Sequence, residues 1–176
     1  MLDDDGRRAV SPGATGEVDL RLEHALGLAC ADLNRRSHTV SEVALRLARN
    51  GVAEDVVQAA IESLVAANLL DDERFARAFV SDKRELGQWG SDRIRRGLLA
   101  RGIAPELAAA ALEQPVPAWG QEPQSELERA LELLRRRFPT APHDRRERER
   151  ALGVLLRKGY DSELALDAMA AHRRGE

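Results

Sequence analysis

Arg93 and Arg96 stand one helical turn apart, with Arg95 between them and Lys83-Arg84 upstream, so helix here would gather cations along one side. A guanidinium is planar and forks onto phosphate or carboxylate through two parallel N–H donors. These positions, with Arg74 and Arg77, are therefore candidates for contact with an anionic partner. Asp82, Glu85 and Asp92 are interspersed among them, and an ordinary solvated face is the competing reading. Arg74 could equally pair with an acid one turn away. Trp89 lies between Gly87 and Gly90, in a loop, where its ring could anchor a partner or stack on a base. Packing over a neighbouring helix end is the alternative use of that ring.

Other chemistries are poorly supplied. Cys30 is the only cysteine, which rules out an intrachain disulfide and a multi-cysteine zinc site, and His24, His38, His143 and His172 have no ligand spacing. Asp71, Asp72 and Glu73 precede a helix, where acids complement the dipole and cap free amides, so they read as a helix start rather than a metal cluster. Neither a Gly-x-x-x-x-Gly-Lys-Ser/Thr nor a Gly-x-Gly-x-x-Gly phosphate cradle is present. No catalytic residue, cofactor, metal or small-molecule substrate is expected. Arg145, Arg146, Arg148 and Arg150 alternate with Asp144, Glu147 and Glu149 and read as an exposed helix laced with ion pairs.

The elements that position these residues follow from composition and period. The 176 residues are 43% hydrophobic and 32% charged but only 3% aromatic, so the core is built from Leu, Ala and Val, which favours helices. Net charge is −3, with the acidity concentrated at the front, and 25 of the 27 cations are arginine. Genome-wide base composition would produce the same arginine bias. The longest purely apolar run, Leu107 to Leu112, falls far short of the roughly 20 residues that span a bilayer. The acidic start does not resemble a leader, so a cytoplasmic protein without a membrane partner is expected.

A repeat organises the chain. Gly51, Gly102 and Gly159 are each followed by an apolar residue (Val52, Ile103, Tyr160) and preceded four positions back by leucine (Leu47, Leu98, Leu155). The apolar positions Val56, Leu107 and Leu164, and then Ile61, Leu112 and Met169, recur in the same register. Glycine ends helices because it adopts the left-handed conformation without steric penalty, so each alignment point predicts one helix stopping and another starting. Thr39-Val40-Ser41-Glu42 predicts a capping box, and Val56, Val57, Ala60, Ile61, Leu64 and Val65 form a sustained helical stripe. Leading helices show as Leu22, Leu26, Ala29, Cys30, Leu33, then Phe75, Ala76, Phe79, Val80, then Leu127, Ala130, Leu131, Leu134, Phe138.

The expectation is an all-α fold, a tandem of three helix-turn-helix-like three-helix repeats forming an elongated array. Its repeats span 19–70, 71–114 and 125–176. Residues 1–18 read as a disordered acidic tail. Residues 115–124, with Pro115, Pro117, Gly120, Pro123 and Trp119, read as a linker that lets the last repeat swing.

The junction Leu69-Leu70-Asp71-Asp72-Glu73-Arg74-Phe75-Ala76, followed by Phe79, Val80, Gly87, Gly90 and Ala100-Arg101-Gly102-Ile103, resembles the RecX family of modulators of the RecA recombinase. Leu155-Leu156-Arg157-Lys158-Gly159-Tyr160 is similar to that family's last repeat, and Asn68 stands where the family usually has glycine. The resemblance implies an elongated curved array of three-helix units that lies in the groove of the RecA filament on single-stranded DNA. There it would inhibit ATP hydrolysis, strand exchange and co-protease activity in recombination and the SOS response, without catalysis of its own. The partners implied are the filament and its single strand, with free DNA to be tested. A stand-alone helix-turn-helix-like DNA-binding protein is the alternative.

Overall fold

The computed structural model describes residues 12–114 and 124–175, with side chains from residue 19 onward. Among the described residues there are nine helices and no strand: α1 (Pro12–Leu33), α2 (Val40–Arg49), α3 (Glu54–Ala66), α4 (Asp72–Glu85), α5 (Ser91–Leu99), α6 (Pro105–Glu113), α7 (Glu126–Arg137), α8 (Arg145–Lys158) and α9 (Ser162–Arg174). The alignment glycines end α2, α5 and α8 as anticipated, in left-handed backbone with φ of +80°, +80° and +87°. Asn68, after α3, shares that region at φ +55°, which asparagine tolerates better than most residues.

One expectation changes. Helix α1 begins at Pro12, so the backbone of residues 12–18, assigned to the tail, is helical, while residues 1–11 lie outside the described residues. Of the expected linker, residues 115–123, including Trp119, also lie outside them.

The chain divides into two compact units, residues 1–71 and 72–176. In the first, the leading helix closes over α2 and α3 around Ala25, Ala29, Val43, Leu47, Val56, Ala60, Ile61, Leu64 and Leu70. The alanines bring helices close, so small side chains rather than aromatics fill the space. Thr39, fully buried, caps α2 by accepting a bond from the Glu42 amide at 3.1 Å. Glu42 also meets His38 Nδ1 at 3.2 Å. Buried Asp32 forms an ion pair with Arg46.

The second unit holds two repeats, each with its own core: Ala76, Val80, Ile94, Leu98, Ile103, Ala108 and Ala111 in one, and Ala130, Leu133, Leu134, Ala151, Leu155, Tyr160, Ala165 and Ala168 in the other. The last three helices take their N-caps from the sequence directly. Ser125 and Glu128 make a reciprocal capping box, and Asp144 and Asp161 accept amide bonds from the first turns of α8 and α9.

The two repeats meet end to end. Helix α5 has glycine at its N-cap, with no side chain to satisfy its first amides. The other repeat supplies the acceptors. Gly90 N donates to Lys158 O at 2.9 Å, Ser91 N to Glu126 Oε1 at 2.6 Å, and Asp92 N to Gly159 O at 3.2 Å. The Ser91 hydroxyl adds a bond of 2.6 Å to the other Glu126 oxygen. The positive end of α5 thus meets the negative end of α8 and a carboxylate, an attraction of dipole and charge. The approach requires two glycines: a Cβ on Gly90 would lie 2.3 Å from the Gly159 carbonyl oxygen, and one on Gly159 would lie 2.3 Å from Arg93 Cβ.

Candidate interaction surface

The sequence-predicted residues separate into three groups. Arg95 and Arg77 are exposed and paired within their own helices, to Asp92 at 3.1 Å and Glu73 at 2.7 Å. Arg96 is exposed and directs Nε to the Asp92 carbonyl at 3.3 Å. Arg74 is exposed on α4. These remain on the surface, as weak pairs that a stronger anion can displace.

Arg84 is turned inward instead. Its guanidinium donates to the carbonyls of Leu112 at 2.7 Å and Gln114 at 3.5 Å, closing the C-terminus of α6. Burial holds its pKa below the ordinary arginine value, the Arg129 charge lowers it further, and Glu126 opposes both. Its work is therefore structural.

Trp89 is half-buried and forms the end of an aromatic row. Phe75 and Phe79 stack at 6.1 Å, and Phe79 meets the edge of Trp89 at 6.4 Å. Lys83 Nζ lies 5.1 Å from the Phe79 ring and 5.3 Å from Trp89, Arg101 lies 5.5 Å from Phe79, and Arg93 covers Trp89 at 4.1 Å. The ring that the sequence offered as a base-stacking platform thus carries a guanidinium on it, and fixes where Arg93 points. Phe75, Leu70, Asp71 and Asp72 occupy the α3–α4 junction, with Leu70 buried and Phe75 against the core of α4–α6.

Arg93 and Arg96, expected on one face, part company. Arg93 donates to the Arg157 carbonyl at 3.1 Å and lines a groove of about 520 Å³ with Gln88, Leu133, Arg136, Arg137, Val154, Arg157 and Lys158. Four of these cations were missed, although Arg135-Arg136-Arg137 and Arg157-Lys158 stand in plain runs. The α8 stretch behaves as expected at its start, with Arg145 paired to Glu149 at 2.8 Å and Arg150 to Glu147 at 3.5 Å. No cluster of three or more His, Cys, Asp or Glu suited to a metal occurs among the described residues, and none of their helices is long and apolar enough to cross a membrane.

The fold and this surface define a class: an all-helical protein of tandem three-helix repeats that bears an open, charged groove. Family models for the first, second and third three-helix domains of RecX match residues 25–64, 71–112 and 124–169 in order. The chain belongs to the RecX family. Among its relatives, regulatory protein RecX of Chromohalobacter salexigens is 37% identical over 138 residues, covering 78% of this chain and 86% of the relative. That of Mycobacterium avium is 30% identical over 168 residues, 94% and 93% of the two chains. The crystal structure of RecX from Lactobacillus salivarius matches with a TM-score of 0.73 at 20% identity, over 89% of this chain and 98% of that one, a likeness of fold. The chain is accordingly a member of a family of regulatory proteins.

Proposed function

We propose that this protein is a non-enzymatic, cytoplasmic regulator that binds the RecA filament on single-stranded DNA. It would lower the filament's ATPase, strand-exchange and co-protease activities by impeding filament growth or access. The observation that carries the reading is the ordered presence of all three RecX domains in one chain. Repeated helices present an extended surface, the kind suited to a polymeric partner. The exposed arginines Arg74, Arg77, Arg95 and Arg96, with Lys83 and Arg93 around Trp89, are the contacts we assign to that partner. Arg84 is excluded, because it caps α6.

The test is a titration of the recombinase's DNA-dependent ATPase. Sub-stoichiometric protein should depress hydrolysis and shorten filaments on single-stranded DNA. An unchanged rate at equimolar protein contradicts the proposal. The groove beside Arg93 favours a second reading, a protein that binds DNA unaided, and salt separates the two. Direct binding to DNA weakens steeply with added salt, whereas a filament contact with a large apolar component does not.

A further inference from the structure

The chain has three asparagines, Asn34, Asn50 and Asn68, and Asn50 alone is followed by glycine. The sister repeats carry cations at the same place, Arg101 before Gly102 and Lys158 before Gly159. Asparagine before glycine has a chemistry of its own. The glycine backbone nitrogen can attack the carbonyl carbon of the asparagine side chain, because no Cβ on the following residue obstructs the approach. Asn34 and Asn68 precede Arg35 and Leu69, whose side chains hinder it.

The fold leaves this pair open to water yet holds its reacting atoms apart. Asn50 and Gly51 are exposed at the C-terminus of α2, and beyond its chain neighbours no heavy atom lies within 4 Å of where a Cβ on Gly51 would stand. Asn50 N donates to Leu47 O at 3.0 Å, Gly51 N to Ala48 O at 3.0 Å, and Val52 N to Leu47 O at 3.1 Å. The Asn50 side-chain nitrogen donates to Arg46 O at 2.8 Å, which ties the amide to the last turn of α2. At ψ 8° the Gly51 nitrogen is syn to the nitrogen of Asn50 itself. Ring closure needs it beside Cβ instead, so the peptide plane must rotate and the bond to Ala48 must break. The attack therefore waits for the last turn of α2 to open.

We propose that Asn50 is a site of spontaneous deamidation, which the C-terminal bonds of α2 keep closed in the folded protein. When the turn opens, Gly51 N bonds to Asn50 Cγ and gives up its proton, the Cγ–Nδ2 bond breaks, and ammonia leaves with that proton. Water then opens the five-membered imide at either of its carbonyls, giving aspartate or isoaspartate. The net change is one water taken up and one ammonia released. Isoaspartate routes the main chain through Cβ and Cγ, adding a methylene between α2 and α3, beside the Val52–Leu47 bond and the buried Leu47 side chain. Either product also places a carboxylate at the negative end of the α2 dipole, where charge of that sign is unfavourable. The lost ammonia makes the change one-way, so it accumulates with each opening of the turn.

The test ages full-length protein in mildly alkaline buffer, once folded and once in guanidinium chloride. Tandem mass spectrometry of its peptides follows the amide-to-acid change at each asparagine. Conversion at Asn50 should be at least about tenfold faster in denaturant, because a closed turn reacts only through its open fraction. Asn34 and Asn68 should lag behind it there. Protein aged in denaturant and then refolded should unfold at a lower urea midpoint than fresh protein. The Asn50→Lys variant, which takes the residue of the third repeat, should keep its midpoint through the same treatment. Equal rates at Asn50 in the two conditions would overturn the protection assigned to α2. Conversion no faster at Asn50 than at Asn34 or Asn68 in denaturant would overturn the site itself. A midpoint that falls equally in Asn50→Lys would overturn the link between this residue and the damage.

Discussion

Replacing Gly90 by alanine isolates the junction between the last two repeats. The backbone there has φ −76° and ψ 162°, a conformation alanine adopts freely, so the substitution carries no left-handed strain. The added Cβ would lie 2.3 Å from the Gly159 oxygen and 2.4 Å from Gly159 C and Tyr160 N, all of them backbone atoms that no rotamer change can move aside. Restoring ordinary contact requires the repeats to part by about 1 Å. That opening stretches the bonds from Gly90 N and Asp92 N to the α8 carbonyls, and the two from Ser91 to Glu126. Neutral bonds are worth about 1 kcal/mol each and those to a carboxylate about 1.5–3. Water recovers part of this when the seam opens, so a loss on the order of 3 kcal/mol is expected. Urea denaturation gives the magnitude, and amide hydrogen exchange at Ser91, Asp92 and Tyr160 gives the location. A midpoint near that of the natural protein, with those amides still protected, would refute the argument that glycine is needed for the approach.

Two further outcomes follow from single residues. Tyr160 is the only tyrosine and is buried, and its hydroxyl makes no hydrogen bond among the described residues. Burial pushes its pKa up to about 12, Arg129 works against the rise, and Glu126 and Glu132 add to it. Ultraviolet titration should show phenolate appearing near pH 12 in the folded protein and near 10 in urea, and a native midpoint near 10 would contradict the burial argument. Because the folded value exceeds the unfolded one, this group leaves stability intact below about pH 10 and erodes it as pH rises towards 12, by roughly 2–3 kcal/mol. Thr39→Ala removes the α2 cap and should cost about 1 kcal/mol in thermal or chemical unfolding, with Thr39→Ser restoring most of it. An alanine variant as stable as the natural protein would show that the cap contributes nothing.

The fold was legible because its punctuation is local. A glycine four residues after a leucine and followed by an apolar residue states a helix C-terminus without reference to the rest of the chain, and Gly51, Gly102 and Gly159 all adopt the left-handed geometry this implies. The interaction surface was legible only in part, because side chains were read one helix at a time. Arg84 appeared as a surface cation beside Lys83, yet its partners are carbonyls 28 and 30 residues away in α6. Arg93 was grouped with Arg96 by spacing, but Trp89 and the end of α8 draw it to another face. The groove beside Arg93 joins the ends of α7 and α8 to the start of α5, and charge counted along the sequence averages each of these against nearby acids. The contact between the repeats was illegible for the same reason, since Glu126 and Lys158 meet the α5 amides from beyond the segment expected to separate them.

Whether the last two repeats act on an assembled filament through their cationic face is decided by RecA's ATPase on single-stranded DNA. The natural protein and a folded Arg95→Glu/Arg96→Glu variant are titrated side by side. Inhibition by the natural protein below one-to-one stoichiometry is expected, with its loss in the variant at the same concentrations. Equal inhibition by both, or by neither, would contradict it.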